Sequence, residues 1–167
     1  MVRSALFLLT YVILTILWGS LGVLVGWMLP YRQRFAFIIG TWTAMVLWAF
    51  EHLCQVQVEV EGQEHLPATP CLVLARHEST WETLFLQQLF APQATVIKKE
   101  LLAIPFFGWA FSLLRPIAID RKDGRGALKT LIREGKARLE SGSWVVLFPE
   151  GTRLAPEEQR RFGRGGP

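Results

Sequence analysis

Three clusters in this 167-residue chain have residue types and spacings that could do chemistry. The first is Arg76-His77-Glu78-Ser79-Thr80-Trp81-Glu82. An imidazole takes a proton from a hydroxyl most readily when an acceptor holds its other ring nitrogen. Glu82, five residues past His77 and one helical turn in, is placed to be that acceptor. A plainer reading competes: Ser79-x-x-Glu82 is a capping box, in which Glu82 only satisfies a backbone N–H. The sequence leaves both open. His77-Glu78 also begins an H-E-x-x-H pattern, but Trp81 stands where the second His belongs, which excludes that zinc motif.

The second cluster is Phe148-Pro149-Glu150-Gly151-Thr152-Arg153. A strand runs into a Gly turn, followed by a hydroxyl and a guanidinium. Arginine forks bind phosphate at two points, and backbone N–H groups of such turns add donors. A plain β-turn with a solvated Arg has the same residues. The third cluster pairs Val96-Ile97-Lys98-Lys99-Glu100 with Ile119-Asp120-Arg121. Each part puts a cation just after an apolar run. Surface charge is the usual fate of Lys, but three basic sites after three separate runs form a pattern.

These clusters must be positioned by the elements between them. Cys71–Ala75, Ala94–Ile97, Pro116–Ile119 and Ser143–Phe148 read as short buried strands, and Val56, Val58 and Val60 alternate with polar residues as a further strand would. Ser79–Phe90 and a short apolar stretch from Ile104 to about Leu114 read as helices, as does the basic amphipathic segment Gly124–Leu139. Strands alternating with helices predict an α/β layer with a mostly parallel sheet. Ligands bind such sheets outside the carboxyl ends of the strands, where all three clusters would then meet.

The first third is different in kind. Ala5 to Leu29 carries no charge and ends at Pro30; about 20 such residues suffice to cross a bilayer. It is too long for a signal peptide and lacks a small-x-small cleavage site. A second apolar segment, Phe35–Phe50, follows the turn Tyr31-Arg32-Gln33-Arg34. Residues 1–50 hold Arg3, Arg32 and Arg34 and no acid, whereas fifteen Lys and Arg face fourteen acids in the rest, giving a net charge of +4. Arginines beside apolar helices read as anchors to anionic headgroups. A re-entrant or half-buried hairpin, with both ends on one face, keeps the following domain on the side of the basic turn. The expected organisation is a membrane-associated helical hairpin over 1–54 and an α/β domain over 55–167.

Other chemistries lack support. Cys54 and Cys71 form no Cys-x-x-Cys pair and read as buried, reduced thiols. His52 and His65 read as loop or cap residues. Gly-x-Ser-x-Gly, P-loop and dinucleotide fingerprints are absent, and no cluster has zinc-ligand spacing, so no metal and no bound cofactor is expected. The Arg- and Gly-rich tail, Arg160–Pro167, is too short to argue for nucleic acid.

Taken in order, His77-x-x-x-x-Glu82, Lys98-Lys99-Glu100-Leu101 with Ile104-Pro105-Phe106-Phe107-Gly108-Trp109, Ile119-Asp120-Arg121 and Phe148–Arg153 resemble the 1-acylglycerol-3-phosphate (lysophosphatidic acid) acyltransferase family. The resemblance covers about Val56 to Gly166, and the apolar hairpin is similar to that family's two-helix membrane element. It implies transfer of an acyl group from acyl-CoA or acyl carrier protein to the sn-2 hydroxyl of lysophosphatidic acid, giving phosphatidic acid. His77 would be the general base, held by Glu82. Lys98, Arg121 and Arg153 would grip the phosphate, with Glu150, Gly151 and Thr152 shaping its pocket. The implied setting is a bacterial inner membrane, with the catalytic domain on the cytoplasmic face. Two features depart from the family: its acid is normally Asp, and it continues beyond this Arg/Gly stretch, so the chain reads as a truncated form with an incomplete sheet. Another lyso-lipid or glycerol-3-phosphate as acceptor, or an inactive membrane-binding fragment, are the competing readings.

Overall fold

The structure, a computed structural model, describes residues 2–120, 122–155 and 157–158. Four short strands form one sheet: β1 (Leu72–Leu74), β2 (Gln93–Lys98), β3 (Ile117–Ile119) and β4 (Trp144–Leu147). Every pairing is parallel and the order is β1-β4-β2-β3. This is the parallel α/β layer expected from the alternation of apolar runs. Each strand is short because the apolar runs are short.

Three helices make the crossovers: α4 (Trp81–Leu89), α5 (Phe107–Ser112) and α6 (Gly124–Glu140). The chain moves one way across the sheet through α4 and α5 and returns through α6. Crossovers of a single hand therefore put α6 on the opposite face. Packing agrees: α6 lies on β2, β3 and β4, whereas α4 and α5 lie against the N-terminal helices. The core divides accordingly. Ala94, Val96, Ile117 and Val145 pack with Leu131 and Leu139 of α6, and a separate cluster joins Leu84 and Phe111 to Phe35, Trp42 and Val46 of the N-terminal segment.

That segment is an antiparallel hairpin. Helix α1 (Val2–Val25) runs out to the turn. The return path is α2 (Tyr31–Phe35), a π-helical turn (Ala36–Gly40) and α3 (Thr41–Cys54). Arg3 at the start of α1 donates to Gln55 Oε1 just past α3, at 2.5 Å, and the Trp18 indole donates to the Phe37 carbonyl at 2.7 Å. Val2–Met28 and Tyr31–Cys54 are both long and apolar enough to cross a membrane, by length and composition. On α1, Leu9, Ile13, Leu17 and Leu24 form a bare apolar stripe. Gly19, Gly22 and Gly26 face α5 instead. A Cβ on Gly19 would stand 2.9 Å from the backbone carbon and oxygen of Phe106, so only Gly permits this approach.

Several expectations need correction. Arg34 is not a headgroup anchor. It donates to the carbonyls of Gly26 (2.9 Å), Leu29 (2.9 Å) and Leu113 (3.2 Å), capping the ends of α1 and α5. Residues 56–60 form no strand: they pair with nothing among the described residues, and Val56, Val58 and Val60 remain exposed. Alternation is permissive, and a strand needs a neighbour to supply its ladder. The Ile104–Leu114 helix begins later, at Phe107, because Phe106 sits at φ +62° and breaks the helical path. Cys54 and Cys71 are free thiols, half-buried rather than buried.

Candidate active site

Parallel pairing brings all four strand ends to one edge. His77 follows β1, Lys98 ends β2, Asp120 follows β3, and Phe148 to Arg153 follow β4. Two backbone bonds extend the β1–β4 contact past the ladder. The Ala75 N–H donates to the Leu147 carbonyl (3.1 Å) and the Leu154 N–H donates to the His77 carbonyl (2.8 Å). Leu154 is buried, so the loop carrying Arg153 folds back onto the loop carrying His77.

The His77 ring is held on two sides. Its Nδ1 lies 2.8 Å from Glu82 Oε1. A carboxylate accepts, so Nδ1 carries the hydrogen of this contact, and in the neutral ring the lone pair is then on Nε2. One ring face stacks on Phe148, with centroids 4.3 Å apart and an interplanar angle of 28°.

The two roles weighed for Glu82 turn out to coexist. Besides His77, its carboxylate accepts from the backbone N–H of Glu78 (3.1 Å) and Ser79 (2.9 Å) and from the Ser79 hydroxyl. Ser79 Oγ in turn accepts from the Trp81 N–H at 3.0 Å. Thus one carboxylate closes the start of α4 and orients the imidazole. Burial pushes the Glu82 carboxyl up, but the hydrogen bonds from Ser79 and His77 together outweigh it, and the pKa lies below the ordinary carboxylate value.

The loop after β4 is a tight turn. Gly151 at φ +69° donates its N–H to the Phe148 carbonyl at 3.1 Å. That N–H is taken up in the turn. Thr152 and Arg153, which follow the turn, are both exposed and line the same cleft as His77. Glu150 behaves differently: its Oε2 is buried without a hydrogen-bond partner among the described residues. Arg121 lies outside the described residues.

A cleft of ≈ 590 Å³ opens at this edge, between the sheet and α6. His77, Lys98, Gly151, Thr152 and Arg153 line it, so five of the expected site residues share one cavity. Leu101, Leu128, Leu131 and Leu147 add apolar wall. Thr83 also lines it, with a buried hydroxyl that has no partner among the described residues. Sequence reasoning missed Thr83 and the Phe148 stack. The stack had a signal, since Phe148 follows Leu147, which is in register with Leu74, but using it required the strand order. Among the described residues, no group of three or more His, Cys, Asp or Glu is gathered as metal ligands are. His52 stacks on Trp48 and His65 pairs with Glu64, both exposed.

Comparison with known proteins gives this cleft a context. Residues 57–166 match the model of the family described as Acyltransferase. A 1-acyl-sn-glycerol-3-phosphate acyltransferase of Pseudomonas aeruginosa is 42% identical over 165 residues, covering 99% of this chain and 64% of that protein. One of Saccharomyces cerevisiae is 37% identical over 106 residues, covering 62% of this chain and 34% of its own length. The crystal structure of the 1-acyl-sn-glycerophosphate acyltransferase PlsC from Thermotoga maritima superposes with a TM-score of 0.73 at 21% identity, over 98% of this chain and 65% of that one. The chain thus spans less than two thirds of the length of each of these relatives, and the likeness to the Thermotoga structure bears on the fold. The matched span holds every residue of the cleft's polar rim, and on that ground the chain belongs to the Acyltransferase family.

Proposed function

We propose that this chain carries the catalytic site of a lipid acyltransferase, moving an acyl group from a thioester to the sn-2 hydroxyl of 1-acylglycerol-3-phosphate. The observation that carries the proposal is the oriented His77–Glu82 pair in a cleft that also presents Lys98 and Arg153. His77 Nε2 takes the proton of the sn-2 hydroxyl as that oxygen attacks the thioester carbonyl. The C–O bond forms, the C–S bond breaks, and the imidazolium returns the proton to the leaving thiolate. Glu82 stabilises the imidazolium through Nδ1–H. Direct attack needs no covalent acyl-enzyme and no bound cofactor.

Lys98 and Arg153 are assigned to the acceptor's phosphate, because a dianion at the cleft mouth calls for several cations. Arg121 is assigned there by its place after β3. Thr152 adds a hydroxyl, Gly151 sets the turn that carries it, and Glu150 is assigned to shaping the same pocket. The relatives' names, which specify 1-acylglycerol-3-phosphate, support this acceptor over another lyso-lipid.

The hairpin is assigned to the lipid surface. Its bare α1 stripe needs apolar surroundings. Its turn, however, is bound to the α/β body: Arg34 donates to the Leu113 carbonyl and the Tyr31 hydroxyl to that of Leu114 (3.2 Å). A turn fixed to a polar body cannot emerge on the far side of a bilayer, which supports a hairpin lying in one leaflet.

The deciding experiment is an acyl-transfer assay on the detergent-solubilised chain, with labelled acyl-CoA and a panel of lyso-lipids and glycerol-3-phosphate. Phosphatidic acid formation that disappears in His77→Ala is the expected result. Equal product from both proteins would sink the assignment, and preference for a different acceptor would replace the substrate. Rescue of a conditional lysophosphatidic acid acyltransferase mutant is the cellular counterpart.

A further inference from the structure

Helix α6 is the one conspicuous feature that the site chemistry leaves unused. Its sequence from Gly124 to Glu140 carries five cations and two acids. Arg125, Lys129, Arg133 and Lys136 follow at intervals of four, four and three, which keeps them on one helical face. All four are exposed. Ile132, on the same face, is also exposed, as is Leu128 at its margin. The two acids neutralise little of this. Glu134 is taken by Arg138 (3.0 Å) with a side contact to Arg133 (3.2 Å), and Glu140 reaches only Lys136 at the far end (3.8 Å). The Arg133 and Lys136 contacts are made by exposed cations, and such pairs are weak.

Two placements say what this stripe meets. First, α6 lies on the sheet face away from the α1–α3 hairpin, and its core cluster is separate from the hairpin's. A basic face meant for anionic lipid would lie beside the apolar stripe of α1, as a second anchor to the same surface. This one points the other way. Second, the stripe is the outer face of the helix whose inner face, at Gly124, Ala127, Leu128 and Leu131, walls the cleft. With the acceptor entering from the lipid side, the α6 side is the one open to a soluble donor.

Resting on the acyl-transfer reading above, we propose that the α6 stripe docks a small, acidic, soluble carrier protein that delivers the acyl group as a thioester. Positive charge along one face steers an acidic partner and fixes its register. The exposed Ile132 and Leu128 supply the apolar contacts that charge alone lacks. Acyl-CoA presents no protein surface to register on the stripe, so the two donors depend on it to different extents.

The test compares palmitoyl-acyl carrier protein with palmitoyl-CoA as donors to the full chain in detergent. The variant is Lys129→Glu/Arg133→Glu/Lys136→Glu, and Lys129→Gln/Arg133→Gln is the milder control should charge reversal disturb α6. The expected result is a rise of about tenfold or more in KM for the carrier-protein donor, with kcat/KM for the CoA donor held within about twofold. Binding of holo-acyl carrier protein to the unmodified chain should weaken as salt rises, and weaken again in both variants. Equal loss with both donors, no loss with either, or loss of binding to phosphatidylglycerol vesicles with carrier binding intact would each overturn the proposal. Because binding is read without turnover, the two assignments fail separately. A chain that binds carrier through the stripe but transfers no acyl group refutes the enzyme reading alone. A chain active with acyl-CoA whose carrier binding ignores the stripe refutes the docking surface alone.

Discussion

The imidazole of His77 lies flat on the ring of Phe148, with centroids 4.3 Å apart. The two residues reach each other from the ends of the adjacent parallel strands β1 and β4. With Glu82 on Nδ1 and Phe148 on one face, the ring has little freedom to turn Nε2 away from the cleft. Phe148→Ala removes the stack, worth about 1 kcal/mol. The expected effect is a fall of roughly five- to tenfold in kcat, with KM little changed and Phe148→Tyr near normal. Steady-state kinetics on the three proteins checks it; an unchanged kcat in Phe148→Ala would leave Phe148 a packing residue.

Glu82 combines a helix cap with an imidazole brace. Glu82→Ala should therefore lose on two independent readouts. Activity should fall by about a hundredfold or more, the scale of oriented acid–base catalysis, and stability should drop by about 1 kcal/mol for the lost cap. Glu82→Asp should keep substantial activity, since the shorter carboxylate keeps its charge. Kinetics paired with urea unfolding separates the roles: a stability loss without an activity loss would leave only the cap.

The carboxyl of Glu82 is held below its ordinary pKa by the Ser79 and His77 hydrogen bonds, which outweigh the opposing effect of burial. Its contribution to stability is thus fully present above the ordinary carboxylate range and is lost as pH falls through the lower, folded value. The difference in melting temperature between the unmodified chain and Glu82→Gln should be constant from pH 7 to about 5 and shrink in more acidic buffer. A difference that grows on acidification would contradict the depressed pKa.

Gly19 packs directly against the Phe106 backbone at the start of α5. Gly19→Ala puts a methyl 2.9 Å from the Phe106 backbone, which is not the flexible tip of a side chain and cannot swing aside. Overpacking of this kind costs about 1–3 kcal/mol. Thermal unfolding in detergent should register the loss, whereas Ser20→Ala, on the exposed side of the same helix, should not.

A hairpin lying in one leaflet puts its open end and its turn on one side of the membrane. Single cysteines at Arg3→Cys and Arg32→Cys, in a chain with Cys54 and Cys71 replaced by Ser, should react with an impermeant maleimide in the same vesicle orientation. Labelling from opposite faces would mean that α1 spans.

The sequence by itself determined the apolar hairpin, the parallel α/β layer and the chemical cast of the site. Run lengths, strand–helix alternation and the order of the His, Lys and Arg clusters are local properties, and local properties are what a sequence displays. It also determined that His77 and Glu82 lie within reach of each other, since only five residues separate them. What it could not decide was set by neighbours distant in the chain. The alternation of Val56 to Val60 promised a strand, but a ladder needs a partner, and the fold supplies none among the described residues. Arg34 looked like a lipid anchor until the ends of α1 and α5 came within reach of its guanidinium. The capping and catalytic readings of Glu82 could be reconciled only in three dimensions, where its carboxylate accepts from the Glu78 and Ser79 backbone and the His77 ring together. Strand order placed Phe148 on His77 and sent the α6 cations to the face away from the hairpin; no local pattern carries strand order, because it is fixed by which apolar faces bury each other.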